Sequence, residues 1–120
     1  MKSGKPRKQR LFRYTAPAHI RKGFVHSRIS KELSKKLNIK KRNAQVKKGD
    51  TVKVMSGSNK GKSGKVNKVE TKSGMLFIEG ITRRNAKGKE LLIPIRTSNV
   101  YITDLELNDK LRKLKLGIKE

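Results

Sequence analysis

Hydrophobic and polar positions alternate between residues 46 and 105, as expected for short β-strands with one buried face. Val52 and Val54 flank Lys53, and Val100 and Ile102 are spaced in the same way. Turn-forming residues separate the segments that follow this pattern. Five strands are predicted, at residues 51–55, 64–70, 75–79, 91–95 and 99–103. Five short strands at this spacing predict a mainly β protein with a small barrel.

Two local features refine these strands. Val66 and Val69 are three positions apart, so we predict a β-bulge between them. Pro94 cannot donate a ladder hydrogen bond, which favours an edge position for the strand at 91–95. Residues 82–89 are polar and basic, and we predict that they form a loop before that strand.

Helical spacing is found on both sides of the strands. Ile29, Leu33 and Leu37 recur every four residues, which predicts a short helix over residues 27–38 with Ser27 as its N-cap. This spacing places the three apolar side chains on one face, and basic residues occupy the opposite face.

A second short helix is predicted near the C-terminus. Asn108 or Asp109 would cap its first turn, Leu111 and Leu114 lie within it, and Gly117 would end it. The domain organisation that follows has four parts. They are an extended basic arm at residues 1–26, a short helix and linker at 27–45, the barrel at 46–105, and a basic tail at 106–120.

The charge of the chain points to a polyanionic partner. The 120 residues include 33 Lys and Arg against 9 Asp and Glu, giving a net charge of +24. So much like charge on a small domain repels itself and disfavours the compact state. A merely soluble protein would normally mix the two signs on its surface. Nucleic acid is therefore the favoured partner, with an anionic membrane surface as the weaker alternative.

Other features restrict the class of protein. Cysteine is absent, so no disulfide or thiolate metal site is expected, and the two histidines, His19 and His26, lack the further ligands that a metal requires. The basic N-terminus has no apolar run after it, so we expect a cytosolic protein without a secretory signal. We also expect no cofactor, no small-molecule substrate, no membrane insertion and no homo-oligomer.

A glycine- and lysine-rich loop at residues 56–63 is the strongest candidate site. Glycine allows the backbone to bend and to approach a ligand closely, and neighbouring lysines supply positive charge. The triplet Gly61-Lys62-Ser63 also ends a nucleotide-binding P-loop, but that pattern needs glycine at position 56, which is serine. The loop is also predicted to join two strands, without the helix that a P-loop requires. We therefore predict a phosphate-binding loop and no enzyme.

The N-terminal arm carries a second candidate surface. Arginines alternate there with apolar and aromatic side chains, among them Phe12, Tyr14 and Phe24. Arginine binds phosphates and stacks on bases, and aromatic rings stack on unpaired bases. Such an arm is expected to order when it binds RNA, whereas a solvated tail is the alternative.

The residues between Lys48 and Val66 resemble the KOW motif, an RNA-associated module within an SH3-like barrel. The similarity rests on Lys48-Gly49-Asp50, on Val52 and Val54, and on the glycines of the loop. Transcription elongation factors of the NusG type share this module. The flanking segments are instead similar to one family, and these segments are residues 6–10, 16–21, 30–33 and 98–105. The family is the universal large-subunit ribosomal protein number twenty-four in its archaeal and eukaryotic form. Older eukaryotic naming calls the same protein number twenty-six.

This resemblance implies a five-stranded SH3-like barrel and a structural protein of the large ribosomal subunit. It implies binding to large-subunit ribosomal RNA, contact with neighbouring ribosomal proteins, help in early assembly, and a position near the peptide exit tunnel. The alternatives are a transcription elongation module that contacts RNA and RNA polymerase, and a basic protein of membrane surfaces. The first needs a further domain for polymerase, and the second needs a broader apolar helix face than the sequence offers.

The candidate RNA-binding residues combine the arm, the loop, the basic segment at 82–89 and the corner before the last strand. They are Lys2, Lys5, Arg7, Lys8, Arg10, Arg13, Tyr14, His19, Arg21, Lys22, Arg28, Lys53, Ser56, Gly57, Lys60, Gly61, Lys62, Arg83, Arg84, Asn85, Lys87, Arg96, Ser98 and Asn99.

Overall fold

Seven strands and four α-helices make up the part of the chain that the computed structural model describes, residues 3–118. The helices are α1 (Pro6–Thr15), α2 (Ala18–Arg21), α3 (Lys31–Lys36) and α4 (Lys110–Leu116). The strands are β1 (His26–Ile29), β2 (Asn43–Gln45), β3 (Thr51–Val54), β4 (Ser63–Glu70), β5 (Met75–Arg84), β6 (Glu90–Arg96) and β7 (Val100–Asp104).

The strands form one mixed sheet in the order β2-β1-β7-β3-β4-β5-β6. Among these seven strands β1 and β7 pair in parallel, and the other neighbours are antiparallel. The prediction of a mainly β protein is confirmed. The sheet is open and has seven strands, in contrast to the predicted five-stranded SH3-like barrel. The two additional strands are β1, where the end of the arm and the start of the helix are predicted, and β2, where the linker is predicted.

The five strands predicted from alternation correspond to β3 to β7. Val52, Val54, Val100 and Ile102 are all buried, which confirms the inward face. The register of β4 shifts between Val66 and Lys68, where the bulge was predicted. The strand β6, which contains Pro94, lies at the edge of the sheet, as expected from the missing donor.

The prediction of a loop over residues 82–89 is wrong in its first part. Strand β5 continues to Arg84, because Thr82 pairs with Leu92 and Arg83 pairs with Leu91 across the hairpin. The register of β5 against β6 shifts between Phe77 and Thr82. The hairpin connection is therefore confined to residues 85–89.

The predicted N-cap at Ser27 is also wrong. Ser27 lies in β1 and is buried, and its hydroxyl donates to the carbonyl oxygen of Thr97 at 2.7 Å. Val25, Ser27 and Ile29 alternate into the core, because β1 pairs with β7 and β2. The helix α3 begins later, and the Ser30 hydroxyl caps it by accepting from the Leu33 amide at 3.2 Å.

The N-terminal arm is helical where an extended conformation was predicted. Pro6 occupies the first turn of α1, where its fixed φ suits a helix, and good helix formers follow. Phe12 then packs edge-to-face on Phe24 with 6.1 Å between ring centroids. The Arg21 guanidinium donates to the carbonyl oxygen of Ala16 at 2.6 Å, and Ala16 is buried. Aromatic contact and hydrogen bonding thus fold the arm back on itself.

A buried ion pair, Asp50 with Arg112, attaches α4 to the sheet. The Arg112 nitrogens donate to the two Asp50 carboxylate oxygens at 2.6 and 2.5 Å, and also to the carbonyl oxygens of Glu106 and Gln45. Asp50 also accepts from the backbone amides of Lys47 and Glu106. The Asp50 side chain is 0% exposed and the Arg112 side chain is 7% exposed, so this hydrogen-bonded ion pair is shielded from solvent. The Asp50–Arg112 pair is called the clasp below.

The C-terminal helix itself confirms the sequence prediction. The Asp109 carboxylate caps α4 by accepting from the Leu111 amide at 3.0 Å, and Gly117 ends it with a φ of 77°. A hydrogen bond from the Lys47 ammonium, at 2.7 Å, holds the pKa of the Asp109 carboxyl below its ordinary value. This second pair is solvent-exposed, so it contributes little to stability compared with the clasp.

Candidate nucleic-acid interface

The loop at residues 56–63 lies at the surface, and backbone hydrogen bonds hold its shape. Its base is closed by the Val54 amide, which donates to the Lys62 carbonyl oxygen at 2.8 Å, and by the Gly61 amide, which donates to the Val54 carbonyl oxygen at 2.8 Å. Gly57 and Gly61 have φ of 95° and 89°, in the left-handed region that favours glycine. The predicted sharp bends are therefore present.

The lysines of this loop are available to a ligand. Lys60 and Lys62 are exposed, and the Lys60 ammonium makes no hydrogen bond or ion pair within residues 3–118. The Lys62 ammonium donates to the Asn59 side chain at 3.2 Å. The loop joins β3 to β4, so no helix N-terminus stands behind Gly61-Lys62-Ser63. This geometry suits phosphates on a surface and excludes the nucleotide-binding P-loop.

Gly64, just after the loop, serves packing. A Cβ there would lie 2.5 Å from the Glu79 carbonyl oxygen and 2.8 Å from Cγ2 of Ile78, on the neighbouring strand β5. We expect Gly64→Ala to lower the free energy of unfolding by about 1–3 kcal/mol, measured by denaturant titration. Gly23→Ala is the control, because a Cβ there would meet no atom of the described residues within 4 Å. Equal stabilities for the two variants would contradict this assignment.

The structure brings a second predicted segment next to the loop. The Met55 amide donates to the Asn99 carbonyl oxygen at 2.8 Å, so the corner before β7 lies beside the start of the loop. Ser98 is exposed at this corner, and its hydroxyl lies 3.4 Å from the Asn99 side-chain oxygen. Two motifs that are far apart in sequence thus form one polar and basic corner.

The β5–β6 hairpin presents a separate basic surface. Arg83, Arg84, Asn85 and Lys87 are all exposed. The Asn85 amide donates to the carbonyl oxygen of Lys89 at 2.9 Å and thereby closes the turn. Arg84 reaches Glu90 at 3.5 Å, and this hydrated pair leaves the guanidinium accessible.

Helix α1 displays half of the candidate residues of the arm. Its exposed basic side chains are Arg7, Lys8, Arg10 and Arg13, and Lys5 precedes it. Tyr14 is 80% exposed, which leaves its ring free to stack. Arg21 has a different position, since its guanidinium donates to the carbonyl oxygens of Ala16 and Tyr14 and serves the fold of the arm. Lys2 lies outside the described residues.

Two concave surfaces bring arm residues together with the rest of the domain. Arg13, whose guanidinium carbon lies 5.2 Å from the centre of the Phe24 ring, shares a shallow pocket with Lys72 and Arg96. His19 and Lys22 line a larger groove between the arm, β2 and α4. In addition to Lys22, the larger groove is lined by Lys41, Lys47 and Lys115. Sequence reasoning missed these three lysines and Lys72, because they lie far from the arm in sequence.

Arg28 and Lys53 lie on the face of the sheet that points away from the core. Both pair in register with Tyr101 of β7. Sequence reasoning missed Tyr101 as a candidate. The signal was available, because the buried Val100 and Ile102 on either side require the tyrosine to face outward.

The acidic side chains do little to reduce the positive field of these surfaces. Asp50 is neutralised by Arg112, Asp109 pairs with Lys47, and Glu90 pairs with Arg84. Glu70 accepts from the Ser73 hydroxyl. Four of the nine acids are therefore already engaged, and the net charge of +24, which subtracts all nine, favours the approach of a polyanion.

Residues 3–118 show no group of three or more His, Cys, Asp or Glu side chains that could hold a metal ion. Within the same range, no helix has the length and apolar character needed to cross a membrane.

Comparison with known proteins gives a consistent result. Residues 3–119 match the family of ribosomal proteins that are called L26 in eukaryotes and L24 in archaea. The large ribosomal subunit protein uL24 of Methanothrix thermoacetophila is 49% identical over 113 residues, which cover 94% of this chain and 96% of that protein. The protein of the same name from Saccharolobus solfataricus is 47% identical over 116 residues, or 97% and 96% of the two chains.

The matched region contains the arm, the sheet, the loop and α4, so the similarity is not confined to the KOW-like segment. The two relatives also cover nearly the whole chain, and their identity is far above chance resemblance. These findings confirm the family inferred from the sequence motifs and the prediction that the chain is not an enzyme. The chain belongs to this family of eukaryotic L26 and archaeal L24 ribosomal proteins, whose members are structural components of the ribosome.

Proposed function

We propose that this protein binds large-subunit ribosomal RNA, assists early assembly of the large subunit, and lies near the peptide exit tunnel in the cytoplasmic ribosome. The observation that carries the proposal is the rigid corner formed by the loop at residues 56–63 and by Asn99, with exposed lysines and little acid around it. Neighbouring ribosomal proteins are its further partners.

The corner is suited to a folded RNA because its shape is set before binding. The backbone hydrogen bonds at Val54 and Gly61 hold the loop, so little conformational entropy is lost when RNA binds. Lysine ammonium groups contact phosphates as point charges, without reading sequence. Ordered RNA shape therefore supplies the specificity, and phosphate contacts supply most of the affinity.

The arm and the β5–β6 hairpin extend this interface. The basic side chains of α1 lie on a short helix whose Phe12 packs on Phe24, just before β1. They can enter a cleft between RNA helices, and the exposed Tyr14 ring can stack on an unpaired base. Arg83, Arg84 and Lys87 reach phosphates at a separate point. A protein that contacts several RNA segments can hold them together early in assembly.

The test of the ribosomal location is sedimentation of a gently lysed extract. We expect the protein to migrate with the large subunit and to remain there after a moderate salt wash. Migration with RNA polymerase, or as free protein, would overturn the proposal in favour of a transcription elongation module or a free basic protein.

The position of the loop can be mapped with a single tethered cleavage reagent. The chain contains no cysteine, so Ser58→Cys creates one attachment point on the exposed loop. A hydroxyl-radical source attached there is expected to cleave ribosomal RNA around the tunnel exit in intact large subunits. Lys36→Cys on α3 is the matched control, with a different cleavage pattern expected. Cleavage by the Ser58 probe only at sites remote from the exit would contradict the proposed position.

A further inference from the structure

The outer face of the sheet carries a row of side chains that no motif of the sequence describes. Arg28 of β1 and Lys53 of β3 both pair in register with Tyr101 of β7, and Lys53 also pairs with Ser63 of β4. Asn43 of β2 extends the row beyond Arg28. Residues paired in register project to the same face, so these side chains form one line across the strands β2, β1, β7, β3 and β4.

This row faces solvent. Ser27 and Ile29 beside Arg28 are buried, and so are Val52 and Val54 beside Lys53. The alternation of a strand therefore directs Arg28, Lys53 and the tyrosine between them away from the core. Arg28 and Lys53 are exposed, while the tyrosine is half-buried. The neighbours of these residues are buried because they pack in the hydrophobic core. The residues of the row have no such packing role.

The tyrosine is held in a defined position. The Arg28 guanidinium carbon lies 5.7 Å from the centre of the Tyr101 ring, and its Nη1 lies 3.5 Å from the phenolic oxygen. A cation over a ring face is attracted by the ring quadrupole, which limits the motion of both side chains. The ring is thus fixed on the sheet, with basic residues on the strands at either side.

The chemistry of the row selects one class of ligand. Its members are polar, basic or aromatic, and none is acidic or aliphatic, so an apolar protein surface has nothing to pack against. Unpaired RNA bases stack on aromatic and guanidinium planes on the faces of β-sheets, while flanking cations hold the phosphates. Bases within a duplex are already stacked and cannot reach the ring.

We propose that Tyr101, with Arg28 and Lys53, forms a site for an unpaired RNA nucleotide, in which the base stacks on the tyrosine–arginine pair and its phosphate contacts Lys53. This site rests on the RNA-binding function proposed above and adds to it a preference for a bulged or single-stranded nucleotide. The site lies on the sheet surface, on residues that are distinct from the loop at 56–63.

The test uses the full chain and a short RNA hairpin with one bulged fluorescent purine, compared with the same hairpin in which that purine is paired. The unaltered protein is expected to quench the bulged purine and to bind that hairpin more tightly than the paired one. We expect Tyr101→Leu to weaken binding of the bulged hairpin roughly five- to hundredfold. Tyr101→Phe should retain the preference, because it keeps the ring.

Lys53→Gln separates base stacking from phosphate contact. Because Lys53 contacts the phosphate of the bound nucleotide, this variant is expected to weaken the bulged hairpin more than the paired one and to lower the salt dependence of binding the bulged hairpin by about one phosphate contact, while the bulged purine is still quenched at saturation. Equal affinity of the unaltered chain for the two hairpins, with no quenching, would overturn the site even if total ribosomal RNA is still bound. The quenching measurement needs no variant, so its outcome does not depend on whether Tyr101→Leu folds. Failure to bind any ribosomal RNA would contradict the function proposed above as well.

Discussion

Binding of this protein to large-subunit ribosomal RNA is expected to weaken by about 10³- to 10⁵-fold when monovalent salt is raised from about 50 to about 200 mM. The reason is counterion release. A protein that neutralises about six to ten phosphates frees the cations condensed on them, and added salt opposes that release. The net charge of +24 and the exposed lysines and arginines described above supply this number of contacts. Equilibrium binding across a salt series measures the slope of log affinity against log salt.

The contribution of the loop at residues 56–63 to that slope can be isolated. The double variant Lys60→Gln, Lys62→Gln is expected to make the slope of log affinity against log salt less steep, by the amount that corresponds to about two lost phosphate contacts. The control is Lys35→Gln, Lys36→Gln on α3, which removes the same charge from the exposed side of another element. An affinity that barely changes with salt would contradict the electrostatic account. Identical slopes for the two double variants would contradict the placement of the interface at the loop.

Arg112→Met is expected to lower the free energy of unfolding by about 3–5 kcal/mol, a large part of the stability of a small domain. The variant keeps an apolar stem but leaves the Asp50 carboxylate uncompensated at a site with no solvent contact. It also removes the donors that satisfy the carbonyl oxygens of Glu106 and Gln45. Denaturant titration, monitored by circular dichroism, measures this loss of unfolding free energy.

Two further variants separate the buried pair from a general effect of charge. Lys110→Met makes the same change at an exposed position of α4 and is expected to alter stability by no more than about 0.5 kcal/mol. The double variant Asp50→Leu, Arg112→Leu removes both charges and should be more stable than Arg112→Met alone, because no unpaired buried charge remains. If Arg112→Met cost no more than Lys110→Met, the clasp would have no special role.

Much of the fold could be predicted because local patterns carry it. Alternating valines and isoleucines located β3 and β7, since burial on one face of a strand requires a period of two. Pro94 indicated the edge of the sheet through its missing donor. Asp109 and Gly117 bounded α4 because both act on the helix ends within a few residues. The glycines and lysines of the loop were likewise visible in one short segment.

The errors occurred where distant residues decide the local structure. The spacing of Ile29 and Leu33 predicts a helix with Ser27 as its cap, but pairing of β1 with β7, which lies far away in sequence, draws Ser27 into a strand. The arm has too few apolar residues to indicate a packed helix, yet Phe12 of α1 packs on Phe24 and Ala16 is buried. Long-range pairing of β1 with β7 overrode local helix propensity in the first case, and contacts within the arm stabilise the helix in the second.

The sequence by itself determined the net charge, the alternating strands and the glycine- and lysine-rich loop, because charge, periodicity and glycine content are local properties. It also carried motifs specific enough to identify the family. Only the tertiary structure decided that Asn99 lies beside the loop, that Tyr101 stands between Arg28 and Lys53, and that Asp50 is enclosed with Arg112. Each of these contacts joins residues from separate parts of the chain. Their proximity depends on strand register and packing, which no single segment of the chain encodes.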